Sequence, residues 1–164
     1  PVGVYGMTRE LSDLVVRNTE PTVTEGKTLA LGGTTYGNAL NIAAARAALA
    51  HVLTETNYAR VEAFGAQLAD GIDALIAERD LPWRAQRLGS RSGLCLSRTP
   101  PRNAVEASRA ISRDLNHAAR AFMANRGVWE PIYIHGPSVS FAHTEDDVAT
   151  YLAALGDFLD RVTA

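Results

Sequence analysis

The sequence predicts an α+β fold in which helices pack on a short antiparallel sheet. Apolar residues recur at helical spacing over residues 58–79 and again over residues 144–162. Two short stretches between them, 83–88 and 92–97, are typical of adjacent strands, and a further helix is expected to begin after Asn103. Elements in this order predict one compact unit from about residue 58 onward.

The two long helices each predict one buried face. The first face comprises Val61, Phe64, Leu68, Ile72 and Leu75, and the second comprises Val148, Leu152, Leu155, Leu159 and Val162. Thr144 and Asp147 have the spacing of a capping box in front of the second helix. A short strand is expected near residues 138–143, just before it.

A third long helix is predicted between the strands and the last helix. Asn103 and Glu106 have the spacing of a capping box at its start, and Gly127 is expected to end it. Its buried face is expected to comprise Val105, Ser108, Ile111, Leu115, Ala118 and Phe122.

The composition is that of an ordinary globular protein. Of the 164 residues, 46% are hydrophobic and 21% are charged, with a net charge of −2. Charges of both signs are spread along the chain, so no basic block suggests a nucleic acid or an anionic membrane as a partner. The apolar stretches are interrupted by charge, so none is expected to span a bilayer.

A single cysteine, Cys95, cannot form an internal disulfide. It lies in the apolar run 93–96, where a buried, inert thiol is expected. A reducing, cytoplasmic location fits this cysteine usage. The chain starts with Pro1 and not with methionine, so we expect it to be processed, cut or truncated.

The first 57 residues differ in character from the rest. Residues 1–7 and 29–31 are interpreted as two lone strands, with a short helix capped by Thr8 between them. Two isolated strands are not stable by themselves, so we expect them to belong to a larger sheet. The chain is therefore divided into residues 1–57 and 58–164.

A glycine-rich turn at residues 32–37 precedes Asn38, a good N-cap, and an alanine-rich helix over about 39–53. A helix so poor in charge is expected to be buried on most sides. Glycine-rich turns that open helices bind anions, because free N–H groups and the positive helix end point at the ligand. A tight loop that is capped by Asn38 and binds nothing is the alternative.

Four segments in order resemble the class III aminotransferases, which depend on pyridoxal phosphate (PLP), and are close to the glutamate-1-semialdehyde aminomutases. The turn reads GTTYGNAL, similar to the family's G-T-x-x-G-N-P-L. The sequence PVGVYG at the start of the chain, with RE after it, resembles the segment that follows the family's PLP lysine. The runs RGVW at 126–129 and SVSFAHTEDD at 138–147 resemble segments near the family's C-terminus.

The resemblance implies a fold-type I PLP transferase, represented here by its C-terminal part. That part would hold the end of the large-domain sheet, a long linking helix and a small domain with a short antiparallel sheet. It also implies a homodimer with active sites shared between subunits, acting on a small amino or keto acid. By the same resemblance, Thr34 with its neighbours Gly33 and Thr35 would hold the PLP phosphate of the opposite subunit.

The family's catalytic lysine is expected to precede Pro1, so no catalytic residue is assigned within this chain. The only lysine present, Lys27, lies in a loop where the family has no such lysine. A solvated surface lysine is the expected role. We therefore expect the chain alone to be inactive.

Arg91 is the candidate for binding the substrate. It lies between the two predicted strands, and a guanidinium can bind a carboxylate through two hydrogen bonds. A surface arginine at a hairpin is the alternative. His135 stands roughly where the aminomutases have a glutamate, which leaves mutase and aminotransferase chemistry both open. His143 is expected to be structural, and no cluster of residues has the spacing of metal ligands.

A function of another class also stays open. The chain could be a non-enzymatic module that keeps the aminotransferase fold for dimerisation or for binding a partner. The residues upstream of Pro1 would separate the two hypotheses.

Overall fold

The computed structural model describes residues 3, 5–18, 35–130 and 136–163. Their contacts divide the chain into two compact units, Pro1–Leu53 and Thr54–Ala164. The predicted α+β class with a short antiparallel sheet is confirmed.

The first unit contains helices α1 (Arg9–Arg17) and α2 (Ala39–His51). Thr8 caps α1 as predicted, because its hydroxyl accepts the N–H of Leu11 at 3.3 Å. The strand predicted over residues 1–7 is wrong for the described part, since Gly3 and residues 5–7 pair with no described strand. The strand predicted over 29–31 lies outside the described residues.

Helix α2 contradicts the expectation that it is buried on most sides. None of its residues is buried. Its apolar residues Leu40, Ile42 and Leu49 are 50–78% exposed. The prediction was based on the low charge of the helix. Low charge makes burial possible, but it does not show that another surface covers the helix.

In the second unit, α3 (Glu55–Glu78) forms the long predicted helix. It begins before the predicted residue Tyr58 because the Thr54 hydroxyl accepts the N–H of Asn57 at 3.3 Å. The predicted face is confirmed, with Leu75 half-buried and the others buried.

Strands β1 (Arg84–Leu88) and β2 (Arg91–Cys95) form an antiparallel hairpin in which Leu88 pairs with Arg91. Gly89 has a φ of +58°, as the first position of a type II′ turn requires. Cys95 is buried, as predicted.

The strand predicted near residues 138–143 is wrong. Of that segment, Ser138 alone forms a bridge, with Arg91. The chain then turns, since the Ser140 N–H donates to His143 Nδ1 at 2.8 Å and is not available for a ladder.

The helix predicted from Asn103 to Gly127 is two helices, α4 (Ala104–Arg109) and α5 (Arg113–Ala124). Ser112 caps α5, since its hydroxyl accepts the N–H of Leu115. The Ala110 carbonyl accepts the N–H of Leu96, which follows β2. This break shifts the helical phase, so the predicted face is wrong in part: Val105, Ser108, Ile111 and Ala118 are exposed, Leu115 and Phe122 are half-buried, and Met123 is buried.

Helix α6 (Glu145–Thr163) closes the unit. Its predicted face is confirmed at Val148, Leu155 and Leu159, whereas Val162 is exposed. The core lies where α3, α5, α6 and β1 meet; its most deeply buried side chains are Ile72, Met123, Leu155 and Leu159. Within the described part of the chain, no helix has the length and apolar character needed to cross a membrane.

Candidate functional site

The predicted phosphate-binding turn is described from Thr35 onward, whereas Gly33 and Thr34 lie outside the described residues. Residues 35–37 form a turn, and Gly37 has a φ of +67°. Asn38 then donates from Nδ2 to the Thr35 carbonyl at 2.9 Å and accepts the N–H of Asn41 at 3.0 Å. One side chain thus closes the turn and caps α2.

This geometry suits an anion. Helix α2 has thirteen residues, so its N-terminus carries the partial positive charge of aligned peptide dipoles. Thr35 and Tyr36 are exposed beside it. A Cβ added to Gly37 would meet no atom within 4 Å, so the turn leaves open space above its backbone. The described residues therefore fit a phosphate that approaches the turn.

The backbone on both sides of Arg91 is held firmly. The Ser90 carbonyl accepts the N–H of Val139 at 3.0 Å, and the Ser92 N–H donates to the Pro137 carbonyl at 3.1 Å. The buried Ser92 hydroxyl also donates to the Gly65 carbonyl of α3 at 2.8 Å. Arg91 is therefore presented, exposed, from a strand that is fixed to α3 and to the segment after Gly136.

Two glycines make this arrangement possible. A Cβ on Gly65 would lie 2.6 Å from the Gly89 carbonyl oxygen and 2.8 Å from Ser90 Cα. A Cβ on Gly136, which has a φ of +68°, would collide with the backbone of Ser92. Both contacts are with backbone, which cannot rotate away, so the hairpin can lie directly on its neighbours only where these glycines are.

A second polar group lies near the hairpin and was not singled out from the sequence. Tyr151 of α6 donates a hydrogen bond to Glu130 at 2.8 Å. Burial raises the pKa of Glu130, and the bond from Tyr151 and the charge of Arg120 oppose that shift. Arg120 stacks on the Trp129 ring at 4.4 Å. No local pattern joins these residues, so sequence periodicity could not have found them.

The histidine predictions divide. His143 is structural, as predicted, because its Nδ1 accepts the N–H of Ser140 in the turn before α6. That turn is also bound by Arg60, which donates to the carbonyls of His143 at 3.0 Å and Phe141 at 2.6 Å. His135 and Lys27 lie outside the described residues.

Comparison with known proteins gives the same family as the motifs. The chain is 32% identical over 154 residues to a glutamate-1-semialdehyde 2,1-aminomutase from Anaeromyxobacter dehalogenans, which covers 94% of the chain and 34% of the relative. It is similar in structure to a glutamate-1-semialdehyde aminomutase from Pseudomonas aeruginosa, with a TM-score of 0.75 and 33% identity over 84% of the chain and 31% of that enzyme.

The resemblance to the class III, fold-type I PLP-dependent aminotransferases is confirmed. A variant of the Pseudomonas aminomutase has been solved in complex with PMP, and it matches 86% of this chain and 32% of its own with a TM-score of 0.74 and 32% identity. No family model matches the chain.

The chain spans about a third of the length of the curated aminomutases that it matches. Within that third, it shares its fold with the solved Pseudomonas aminomutase over 84% of its length. The family assignment therefore concerns the scaffold, and the roles of Gly33, Thr34, Thr35 and Arg91 stay predictions.

Proposed function

We propose that this chain is part of a PLP-dependent aminotransferase or aminomutase that transfers or relocates the amino group of a small amino or keto acid. The observation that carries the proposal is the turn before α2. Gly37 has a positive φ, Asn38 caps the helix, and the segment is one of the four that resemble the family.

In this proposal the turn binds the phosphate of PLP. The Thr35 hydroxyl and the N–H groups of Ala39 and Leu40, which precede the capped N–H of Asn41, donate to the phosphate. Gly33 and Thr34 complete the site. Gly37 keeps a side chain out of the path of the anion. When bound, PLP supplies an electron sink for the substrate carbon that carries the amine.

Arg91 binds the substrate's carboxylate in the same proposal. A guanidinium can form two parallel hydrogen bonds with a carboxylate, which fixes orientation as well as position. Because the residues on either side of Arg91, Ser90 and Ser92, are both hydrogen-bonded, the backbone of Arg91 does not have to be ordered when the substrate binds.

We also propose that the whole protein is a homodimer with shared active sites. The exposed apolar residues of α2 support this proposal, since a helix with such residues on all sides is normally covered. A non-enzymatic association module would expose them too. Multi-angle light scattering tests association, and Leu40→Glu with Leu49→Glu is expected to yield monomers.

Cofactor binding separates the two functions. In the full-length protein, Gly37→Ala forces a residue with a Cβ into the left-handed region, which costs about 1–2 kcal/mol. The dissociation constant for PLP, measured by fluorescence titration, should rise about tenfold. Gly37→Asn should bind PLP with an intermediate affinity, because asparagine tolerates this conformation better.

Gly127→Ala is the matched control, because Gly127 also has a positive φ, of +80°, and open space around it, but belongs to the second unit, whereas the turn belongs to the first. It should leave the affinity for PLP unchanged. A full-length protein that binds no PLP, or a Gly37→Ala variant that binds it as tightly as the wild type, would contradict the proposed site.

A further inference from the structure

A groove of about 500 Å³ lies between the hairpin and helices α4 and α5. Leu88, Arg91 and Cys95 line it from one face of the hairpin, as their alternate positions in the register allow. Ala107 and Ile111 line it from the helical side. Its volume is in the range of small-molecule sites, about 300–1,000 Å³.

Most of the described lining residues are apolar, and the charged ones are few. Arg87 and Arg91 are the basic residues among them. Arg87 donates to the Gly89 carbonyl at 3.0 Å, so its guanidinium is engaged with the turn. Arg91 forms no side-chain hydrogen bond or ion pair with any described residue.

The acidic residue among the described lining is Glu130, and it already accepts a hydrogen bond from Tyr151. An anionic ligand would therefore place its charge on Arg91 and away from Glu130. Leu88, which pairs with Arg91 in the hairpin, is 83% exposed, and Ile111 is 41% exposed. An apolar chain in the groove would remove both side chains from water. The lining thus matches a ligand with one anionic end and an apolar body.

We propose that this groove binds a carboxylate with an apolar chain, with the carboxylate on Arg91 and the chain between the hairpin and α4–α5. The substrate class of the proposed enzyme would then be an apolar amino or keto acid. That the ligand is a substrate rests on the proposed function. Binding itself requires neither PLP nor turnover.

The first experiment measures binding of butyrate, hexanoate and octanoate to the purified 164-residue chain by isothermal titration calorimetry, without PLP. Each added methylene that is buried should improve the affinity by about two- to fourfold. Hexanol should bind about tenfold more weakly than hexanoate, because it cannot form the charged pair with Arg91. Equal affinity for hexanol and hexanoate, or no dependence on chain length, would overturn the inference.

Variants locate the site. Arg91→Gln should weaken hexanoate about tenfold, whereas Arg109→Gln, an exposed arginine of α4 outside the described lining, should not change it. Ala107→Leu should weaken octanoate more than butyrate, because it fills the groove. If circular dichroism shows that this variant is unfolded, Ile111→Trp at the exposed rim takes its place. Equal effects of Arg91→Gln and Arg109→Gln would place the ligand elsewhere.

The outcome is separable from that of the proposed function. If the 164-residue chain does not bind hexanoate but the full-length protein binds PLP through the Gly37 turn, this inference alone is overturned. If the 164-residue chain binds hexanoate through Arg91 but the full-length protein binds no PLP, the proposed function is overturned and the groove remains a carboxylate site.

Discussion

The Tyr151 hydroxyl donates a 2.8 Å hydrogen bond to the Glu130 carboxylate and so joins α6 to the segment that follows α5. Tyr151 is buried, and burial followed by the charge of Glu130 raises its pKa well above the ordinary value. Burial also raises the pKa of Glu130. Each shift favours the neutral form of its group, so the pair is most stable when both are protonated.

Glu130→Gln should remove a pH-dependent part of the stability. Because the folded pKa of Glu130 is raised, its contribution is fully present below the unfolded pKa of about 4.3 and is lost as the pH rises. The wild type should therefore lose stability relative to Glu130→Gln between about pH 4 and pH 7. Urea denaturation across this range measures the difference. Glu62→Gln, at an exposed position of α3, is the control for losing one carboxylate.

Arg60→Met should destabilise the second unit by about 1 kcal/mol, because two carbonyls of the turn before α6 lose their charged donor. The loss is modest since water can replace the guanidinium at these exposed groups. Thermal unfolding checks it, with Arg46→Met in the middle of the exposed helix α2 as the control. Equal stability of the two variants would show that the Arg60 bonds contribute nothing.

Gly65→Ala should destabilise by about 1–3 kcal/mol, although alanine is the better helix former. The new methyl group would meet the backbone of Gly89 and Ser90, so the hairpin must move off α3. Gly71→Ala is the matched change in the same helix, where the methyl group meets the side chain of Leu152, which can rotate away. Urea midpoints of the two variants should differ, and a Gly65→Ala variant as stable as Gly71→Ala would contradict the close approach.

The 164-residue chain alone should not catalyse amino transfer when PLP is added, because its only lysine, Lys27, stands at a position where the family has no catalytic lysine. Lys27→Arg should leave every activity of the full-length protein unchanged, since the charge is kept. An assay of keto-acid formation from amino acids checks both statements. Turnover by the chain that is lost in Lys27→Arg would show that Lys27 acts as the catalytic amine.

Much of the second unit could be predicted because its signals are local. The faces of α3 and α6 follow from helical periodicity, and Thr144 and Asp147 form their predicted contact, with the Thr144 N–H on the Asp147 carboxylate at 2.7 Å. The break between α4 and α5 was missed since apolar spacing continues across it. There the helix is interrupted, because Ser112 caps a new helix and the Ala110 carbonyl accepts the N–H of Leu96.

The site was harder to predict than the fold. Sequence patterns could indicate Arg91 as an arginine near a turn, but its support comes from residues distant in the chain. Gly65, Pro137 and Val139 reach the hairpin only after folding, and a glycine inside a helix is a weak signal of such a contact. The predicted burial of α2 was wrong, because the composition of a helix does not show which surface covers it.

The contact between Gly65 and the hairpin tip also limits how this chain can diversify. Hairpin tips ordinarily tolerate insertions, because they extend into solvent. Here the backbone of Gly89 and Ser90 lies against Gly65 of α3, and the Ser90 carbonyl accepts the N–H of Val139, so an inserted residue would disturb both contacts. Length variation should instead collect in the loop before α4, around the exposed Arg102. A library of random insertions should therefore yield more folded variants near Arg102 than between Leu88 and Arg91.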